Sequence, residues 1–457
     1  VSTEEVDVVV IGLGPGGEDA AGRLAQAGLN VVGVESRLVG GECPYYACVP
    51  TKMMVRAAGL LADGRRIPGM AGQADVRPDW TPVAKRIRDE ATASWDDTAA
   101  ADRLTGKGVE LVRGHGEITA PGEVTAAGRT FRARRGILLN TGTSPAAPPI
   151  DGLDGTPYWT NREAVQAEQA PGSLLVLGGG VVGVELAQVF ARFGTRVTIV
   201  EAGDRLVAAE EPEAGELLAQ VFEREGITVR TGAKATGVSH DDGGFTLHTA
   251  DEDLTGDRLL VATGRRPNLK GLGLAAVGLD EHARAVEVDA HMRAADGVWA
   301  IGDITGKGAF THMSLYEASI AVRAILDEEG PAASYRAVPR VTFTDPEIGS
   351  VGLTEAQARD QNLPVRTGTT RIADSTRGWI QKVDNDGFIK LVEHAEWGTL
   401  VGATVMGPAA GEILALLTLA VHAEVPTTTL RQMIYAYPTF HRAVTSALDA
   451  LTAVSKA

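Results

Sequence analysis

Cys43 and Cys48 are the only two thiols in a chain of 457 residues, and they lie five positions apart. The segment that carries them reads Gly40-Gly41-Glu42-Cys43-Pro44-Tyr45-Tyr46-Ala47-Cys48-Val49-Pro50-Thr51-Lys52. Thiols so placed are either one local redox pair or two unrelated side chains. In a regular helix, five residues rise about 7.5 Å, whereas the Cα atoms of a disulfide stand roughly 4.4–6.8 Å apart. A bridge between them therefore needs a bent or tightened turn, and Pro44 and Pro50 fit a bent helix start. A strained, accessible disulfide is the easily reduced kind, and a helix N-terminus favours the thiolate. The bland alternative is two small core residues. A zinc site lacks further ligands at suitable spacing.

A second chemical pattern occurs twice. Residues 6–11 read as a buried strand, followed by Gly12-Leu13-Gly14-Pro15-Gly16-Gly17, a helical stretch to about Gly28, and a strand at 30–34 closed by Glu35. Residues 174–177 lead in the same way to Gly178-Gly179-Gly180-Val181-Val182-Gly183, a helix to about Gly194, a strand Arg196–Val200, and Glu201. In both copies the acid comes 23 positions after the first glycine. A G-x-G-x-x-G turn with an acid about 20 residues later is the dinucleotide-binding βαβ fingerprint. Gly12 and Gly178 make the tight turn, Gly14 and Gly180 let the backbone approach a pyrophosphate, and Gly17 and Gly183 allow close strand–helix packing. The helix N-terminus supplies free N–H groups and positive partial charge. Two copies imply two dinucleotides, FAD and a nicotinamide nucleotide. The cysteines follow the first copy, so that copy is expected to hold the redox cofactor and the second the nicotinamide. Glu201 would bind a ribose 2′-hydroxyl and repel a 2′-phosphate, favouring NAD; nearby Arg205 softens that preference and leaves NADP possible.

The elements that position these residues need a large α/β chain. At roughly 150 residues per domain, the length corresponds to about three domains. The net charge of −16 repels phosphate backbones, which argues against nucleic-acid binding. No apolar run of membrane-spanning length is present. The first seven residues are acidic where a signal peptide would be basic, and two cysteines are too few for a secreted disulfide framework and suit a reducing compartment. A cytoplasmic location is expected.

The cysteine segment resembles the GGTCxxxGCxPxK motif of the class I pyridine nucleotide–disulfide oxidoreductases, a family that includes dihydrolipoamide dehydrogenase, glutathione reductase and mercuric reductase. The resemblance extends over essentially the whole chain. Leu139-Asn140-Thr141-Gly142-Thr143-Ser144-Pro145 and Val261-Ala262-Thr263-Gly264-Arg265-Arg266-Pro267-Asn268 are similar to the family's two ATG-type turns. Val298-Trp299-Ala300-Ile301-Gly302-Asp303 resembles its second flavin motif, whose aspartate binds the ribityl chain. Phe343-Thr344-Asp345-Pro346-Glu347-Ile348-Gly349 resembles the opening of its dimerisation domain. The resemblance implies two nested dinucleotide-binding βαβ domains plus a C-terminal α+β dimerisation domain. The expected limits are 1–150 and 271–336 for the FAD domain, 151–270 for the NAD domain and 337–457 for the interface domain. The last is expected to show strands near 340–343, 387–392 and 400–406, then a helix at 410–423.

By the same resemblance, Cys43 is the interchange thiol that meets substrate, and Cys48 faces the flavin and can form a charge-transfer complex. Lys52 pairs with Glu185 beside the flavin ring. A homodimer is implied, with the C-terminal domain reaching the other subunit's disulfide. Electrons are expected to pass from NAD(P)H through FAD to the Cys43–Cys48 disulfide and on to a small-molecule acceptor, disulfide-type or other. The alternative is an NADH-dependent quinone or metal-ion reductase in which the cysteines tune the flavin. A non-catalytic flavin-loaded sensor or scaffold is a third reading, but no interaction tail or repeat supports it.

One motif departs from the family. Where its disulfide reductases carry His-Pro-Thr-x-x-Glu, this chain has Tyr437-Pro438-Thr439-Phe440-His441-Arg442. Histidine, with an ordinary pKa of about 6.5, is a working base at neutral pH; tyrosine, at about 10, is protonated there. A lost general base costs on the order of 10²–10⁴ in rate. If Pro438 opens a helix, His441 lies one turn from Tyr437 on the same face and is a candidate replacement, with a surface histidine as the bland alternative; Tyr45 and Tyr46, between the cysteines, are expected to line the site. Mercuric reductases also carry a tyrosine near this place but deliver metal through a C-terminal cysteine pair, and residues 452–457 contain no cysteine.

Overall fold

The computed structural model describes residues 3–453. Most of the cysteine-free end at 452–457 therefore lies outside the described residues. Among those described, no helix is long and apolar enough to cross a membrane. The described chain packs into two compact units, one made of residues 3–51, 84–146 and 265–335, the other of 52–83, 147–264 and 336–453.

The first unit is built on the strand Thr3–Ile11, longer than the expected 6–11 because Thr3–Val6 pair with Thr130–Ala133. It runs parallel to Val31–Glu35 on one side and Arg129–Leu139 on the other. Val109–Arg113 and Val298–Ala300 extend the parallel sheet outward. Parallel sheets are covered on both faces, and their strands read as continuous apolar runs. Here the side chains alternate. Val8 and Val10 pack with Ala20 and Leu24 of the helix Pro15–Gln26 and with Ala318 and Val322 of the helix Thr311–Ile325. Val9 and Ile11 pack with Ile118, Val124 and Phe131 on the opposite face.

The second unit repeats the plan on a smaller scale. Its parallel sheet runs in the order Thr228–Arg230, Arg196–Val200, Ser173–Leu177, Arg258–Val261. A three-stranded antiparallel sheet, Ala235–Asp241, Gly244–Thr249 and Asp253–Gly256, packs its Val238, Phe245 and Leu247 with Leu175 and Leu177. The C-terminal portion is a five-stranded antiparallel sheet in the order Pro339–Thr342, Glu347–Gly352, Thr399–Gly407, Phe388–His394, Val365–Arg371. Helices Ala410–His422 and Ala443–Ala453 close its core through Leu414, Leu417, Val444 and Leu448. The strands expected near 340, 387 and 400 and the helix expected at 410–423 are all present. Around this sheet Trp379, Trp397, Leu419 and Ile434 are exposed, Ile434 almost completely.

Candidate active site

The two nucleotide turns have the same construction. Gly12 (φ +92°) and Gly178 (φ +110°) occupy backbone conformations that favour glycine. A Cβ on either would strike a carbonyl oxygen, of Asn140 at 2.4 Å or Ala262 at 2.5 Å. A Cβ on Gly17 or Gly183 would lie 2.1 Å from the carbonyl oxygen of Gly12 or Gly178. These glycines are therefore required by contact as well as by conformation. The middle glycines differ: Gly14 faces only the Asn140 side-chain amide at 3.3 Å, and Gly180 faces open space. Both are helix N-caps without a side-chain hydrogen bond, so the first-turn amides remain available to an anion.

The acids close each turn in the same manner. Glu35 Oε2 accepts from the Leu13 amide (2.8 Å) and its Oε1 from Arg37 (2.7 Å). Glu201 Oε2 accepts from the Gly179 amide and its Oε1 from Gly203, both at 2.6 Å. Each carboxylate thus ties the strand end to the middle of its glycine turn, with lone pairs left for ribose hydroxyls. Arg205 donates to the Ala208 carbonyl oxygen (2.9 Å) and lies 3.4 Å from Asp204, so much of its guanidinium is committed locally. These turns fit dinucleotide pyrophosphates.

In the first unit, the two ATG-type turns meet. Thr143–Pro145 pairs antiparallel with Arg265–Pro267. Thr141 Oγ1 donates to the Asn268 carbonyl oxygen, and the Asn268 amide nitrogen donates to the Gly142 carbonyl oxygen. Gly142 (φ +64°) has nothing within 4 Å of a built Cβ, and in the second unit the same holds for Gly264 (φ +138°). Asp303 accepts a 2.6 Å hydrogen bond from Thr143 Oγ1, which in turn accepts from Arg265 Nε at 2.7 Å. Thr143 and Arg265 stand inside the two ATG-type turns, but their spacing in the chain gives no sign that they meet. Behind Asp303, the buried Glu317 accepts from the Gly302 amide, Thr305 and Tyr335. Burial pushes its acid up, against those hydrogen bonds.

The cysteine segment is a broken helix. Cys43 belongs to a short turn, Glu42–Tyr45, and Cys48 opens the helix Cys48–Arg66. The break falls at Tyr46 (φ −136°), where the Glu42 carbonyl oxygen accepts from both Tyr46 and Ala47. The helix is thus interrupted between the two cysteines. Cys43 is part-buried and Cys48 exposed, and Thr311 Oγ1 lies 3.6 Å from Cys48 Sγ. Tyr45 is buried; burial, then the charges of Asp97 and Glu18, push its phenol up and away from service as a base.

In the second unit, Lys52 Nζ lies 2.7 Å from Glu185 Oε2 and 4.6 Å from the centroid of the Phe343 ring. The sequence-based pairing of Lys52 with Glu185 is met in the geometry. Glu185 is one of three side chains spaced along the helix Val181–Arg192 that grip residues 343–345. Glu185 Oε1 accepts from the Phe343 amide (2.8 Å), and Gln188 exchanges hydrogen bonds with the Asp345 backbone. Arg192, almost fully buried, pairs with Asp345 at 2.7 Å and Glu225 at 2.6 Å. Arg66 joins Asp345 (2.7 Å) and Asp384 (3.4 Å). Burial opposes the Asp345 charge, but Arg192, Asp384 and Arg66 hold its carboxyl below the usual range. Burial first, and then the hydrogen bond and charge of Asp345, push Asp384 up to about 8.

Tyr437 and His441 are not stacked on a helix. Residues 437–442 run through turns, and the last helix begins at Ala443. Thr439 Oγ1 donates to the Ala436 carbonyl oxygen (2.7 Å), a local side-chain bond that competes with a helical start. Tyr437 is exposed, with its hydroxyl 3.4 Å from Thr376 Oγ1. His441 Nε2 lies 3.5 Å from Thr439 Oγ1, and its ring packs 5.9 Å from that of Tyr435.

Comparison with known proteins gives this geometry a family. Residues 6–323 match the pyridine nucleotide-disulphide oxidoreductase model, and residues 338–448 match the dimerisation domain of the same group. The chain is 35% identical to a dihydrolipoyl dehydrogenase of Thermus scotoductus over 465 residues, covering 97% of each. It is 33% identical to a mercuric reductase of Shigella flexneri over 452 residues, covering 96% of this chain and 79% of the relative. Among solved structures, the HOCl-induced flavoprotein disulfide reductase RclA from Escherichia coli superposes with a TM-score of 0.85 at 27% identity, covering 97% of this chain and 99% of that one. With both nucleotide turns and the dimerisation fold accounted for over nearly its full length, the chain belongs to the pyridine nucleotide-disulphide oxidoreductases, FAD-dependent enzymes that use NAD(P)H.

Proposed function

We propose that this flavoenzyme takes electrons from NADH and delivers them through the Cys43–Cys48 pair to a small-molecule acceptor. The observation that carries the reading is the broken helix, which puts one cysteine before the break and the other at a helix start, with Lys52 one turn further on. Bound FAD supplies the two-electron chemistry between nicotinamide and sulfur. The residues of the first copy, Gly12, Gly14, Gly17 and Glu35, would hold its adenine half, with Thr141, Gly142 and Asp303 further along it. Gly178, Gly180, Gly183, Glu201 and Gly264 would hold NAD. Glu201 meets a ribose 2′-hydroxyl as acceptor, and its charge disfavours a 2′-phosphate. Lys52 places a cation where negative charge develops, and Glu185, anchored by the Phe343 amide, keeps that cation in position. Cys43 acts as the interchange thiol and Cys48 as the inner one. The four-part division into an FAD domain in two pieces, an NAD domain and an interface domain, a homodimer that brings the C-terminal domain to the partner's disulfide, and a cytoplasmic setting belong to the same reading.

A second reading rests on Tyr437. The exposed phenol that stands where the family motif has its histidine has a hydroxyl, not a carboxylate, for its neighbour. Disulfide exchange without an imidazole base is slowed by about 10²–10⁴. That favours acceptors needing no such base, quinones or metal ions. Relatives support metal ions: several are named mercuric reductases, and RclA has been solved as a Cu(II) complex. Among the described residues no group of three or more His, Cys, Asp or Glu is placed to hold a resident metal. On this reading a metal ion is met as substrate by the two thiols.

The test is a steady-state comparison of wild type, Cys43→Ser and Tyr437→His with NADH against lipoamide, glutathione disulfide, a quinone and mercuric ion. Cys43→Ser is expected to abolish disulfide reduction and spare quinone reduction, and Tyr437→His to raise lipoamide turnover. Disulfide reduction that survives Cys43→Ser overturns the proposal.

A further inference from the structure

Three consecutive residues without a glycine among them, Ala93, Ser94 and Trp95, adopt left-handed backbone conformations, with φ of +47°, +60° and +59°. L-residues enter this region singly and at a cost, because Cβ crowds the following carbonyl. Strain of this kind persists only where the surroundings over-determine it. Here they do. The preceding π-type turn Ile87–Ala91 is anchored by the buried Ile87. The fully buried Thr92 donates its hydroxyl to the Ile87 carbonyl oxygen (3.0 Å) and accepts from the Trp95 amide (3.3 Å). The Ser94 amide donates to the Arg88 carbonyl oxygen at 2.6 Å, and that of Asp96 to Thr92 at 3.1 Å. Beyond the turn, Asp97 accepts from the Val39 amide and from both terminal nitrogens of Arg113.

The turn delivers one side chain to one place. Trp95 Nε1 donates to the Tyr45 carbonyl oxygen at 3.2 Å, and its ring stacks on Tyr46 with centroids 6.5 Å apart and planes 25° from parallel. Tyr45 ends the short turn that carries Cys43, and Tyr46 is the break that separates it from Cys48. A four-residue helical turn cannot hold its own shape, and the carbonyl of Tyr45 at its end takes the indole hydrogen bond. We propose that Trp95 is a positioning residue for the cysteine pair: the strained turn pins the break between Cys43 and Cys48, so that the two thiols are already arranged to close on one another. This rests on the reading of those cysteines as a redox pair. Closure removes two electrons and two protons from the thiols and forms one S–S bond, while an oxidant such as glutathione disulfide takes up both and becomes two glutathione thiols. Pinning removes conformational freedom from the dithiol in advance and so favours the disulfide.

The experiment equilibrates the full-length holoenzyme in glutathione buffers of graded ratio and reads the Cys43–Cys48 disulfide fraction by alkylation and mass spectrometry. Trp95→Ala is expected to lower the equilibrium constant for closure about tenfold, which makes the potential roughly 30 mV more oxidising. Trp95→Phe, which keeps a ring but loses the indole donor, should fall between. Ser94 offers a pair of variants that touch neither the indole nor the sulfurs. Ser94→Gly accepts the left-handed conformation and should keep the wild-type constant, while β-branched Ser94→Val cannot and should lose as much as Trp95→Ala. If Trp95→Ala does not fold, the Ser94 pair and Trp95→Phe carry the test. A wild-type constant in Trp95→Phe and Ser94→Val alike overturns the inference and leaves the redox pair intact. A wild type that never forms the disulfide in any buffer overturns the redox pair itself.

Discussion

Replacement of Glu201 by glutamine separates the two jobs assigned to that carboxylate. Its charge opposes a 2′-phosphate, and its two oxygens hold the amides of Gly179 and Gly203 at 2.6 Å. Two unit charges 4 Å apart repel by about 1 kcal/mol in water and about 4 kcal/mol at the effective dielectric of a protein surface. A phosphate monoester carries roughly −1.5 to −2 at neutral pH, so even the wet limit gives about 1.5 kcal/mol, or about tenfold. Arg205, which donates to the Ala208 carbonyl oxygen and lies 3.4 Å from Asp204, offsets part of this. Wild type is therefore expected to favour NADH over NADPH by about tenfold or more in kcat/KM, and Glu201→Gln to erase most of that ratio. Glutamine is neutral and keeps one acceptor oxygen where glutamate has two, so one of the two amides loses its acceptor and the other keeps only an uncharged one. The loss of about 1 kcal/mol should lower kcat/KM for NADH itself about fivefold. Initial rates with both nucleotides against one quinone measure both effects without involving the cysteines. An unchanged NADH/NADPH ratio in Glu201→Gln, or a wild type that prefers NADPH, would falsify the assignment of Glu201.

Two further outcomes follow from the second unit. Glu185→Leu strands the part-buried Phe343 amide and releases Lys52, a combined loss of about 2–4 kcal/mol in urea unfolding of the holoenzyme. Glu185→Gln keeps an acceptor for that amide and should lose only about 1 kcal/mol; equal midpoints for the two variants would refute the ladder. Asp384 has its acid raised to about 8 in the folded chain, so the folded state holds a proton that the unfolded state gives up near the ordinary carboxylate pKa. That contribution is complete below about pH 4 and is lost as pH rises towards 8, with a slope of at most about 1.4 kcal/mol per pH unit. Asp384→Asn should flatten the decline in unfolding free energy between pH 5 and 8; an unaltered slope would place the proton elsewhere.

The nucleotide turns were legible because their demands are local. A positive φ and a carbonyl oxygen within reach of any Cβ admit only glycine at Gly12 and Gly178, and an acid 23 residues on must fall at the end of the next strand. The strand Arg196–Val200 matches its expected limits for the same reason: an apolar run bounded by a turn and an acid leaves little latitude. The Lys52–Glu185 pair was reached through family resemblance, since 133 residues separate the partners. What stayed hidden depends on partners that sequence spacing does not connect. The ladder from Glu185 to Arg192 makes sense only once residues 343–345 lie against it. The left-handed turn at Ala93–Trp95 has no glycine to announce it. At Pro438 the local signal pointed to a helix start, but a Thr439 hydroxyl bound to the chain behind it, and the helix waited until Ala443.

The matching hydrogen bonds in the two glycine turns carry a consequence for how this chain tells its two cofactors apart. A carboxylate clasping the middle of the turn and an uncapped helix behind it are common to both, so neither feature can sort a flavin nucleotide from a nicotinamide one. Selection must come from outside the shared clasp, and one difference lies in the chain that follows it. After Glu35 it runs directly into Gly40, Gly41 and the two sulfurs; after Glu201 it turns back through Gly203 and Arg205 into a helix with no redox group. The short segments that follow the acids, rather than the glycines themselves, are thus one place where this scaffold distinguishes its two nucleotide turns.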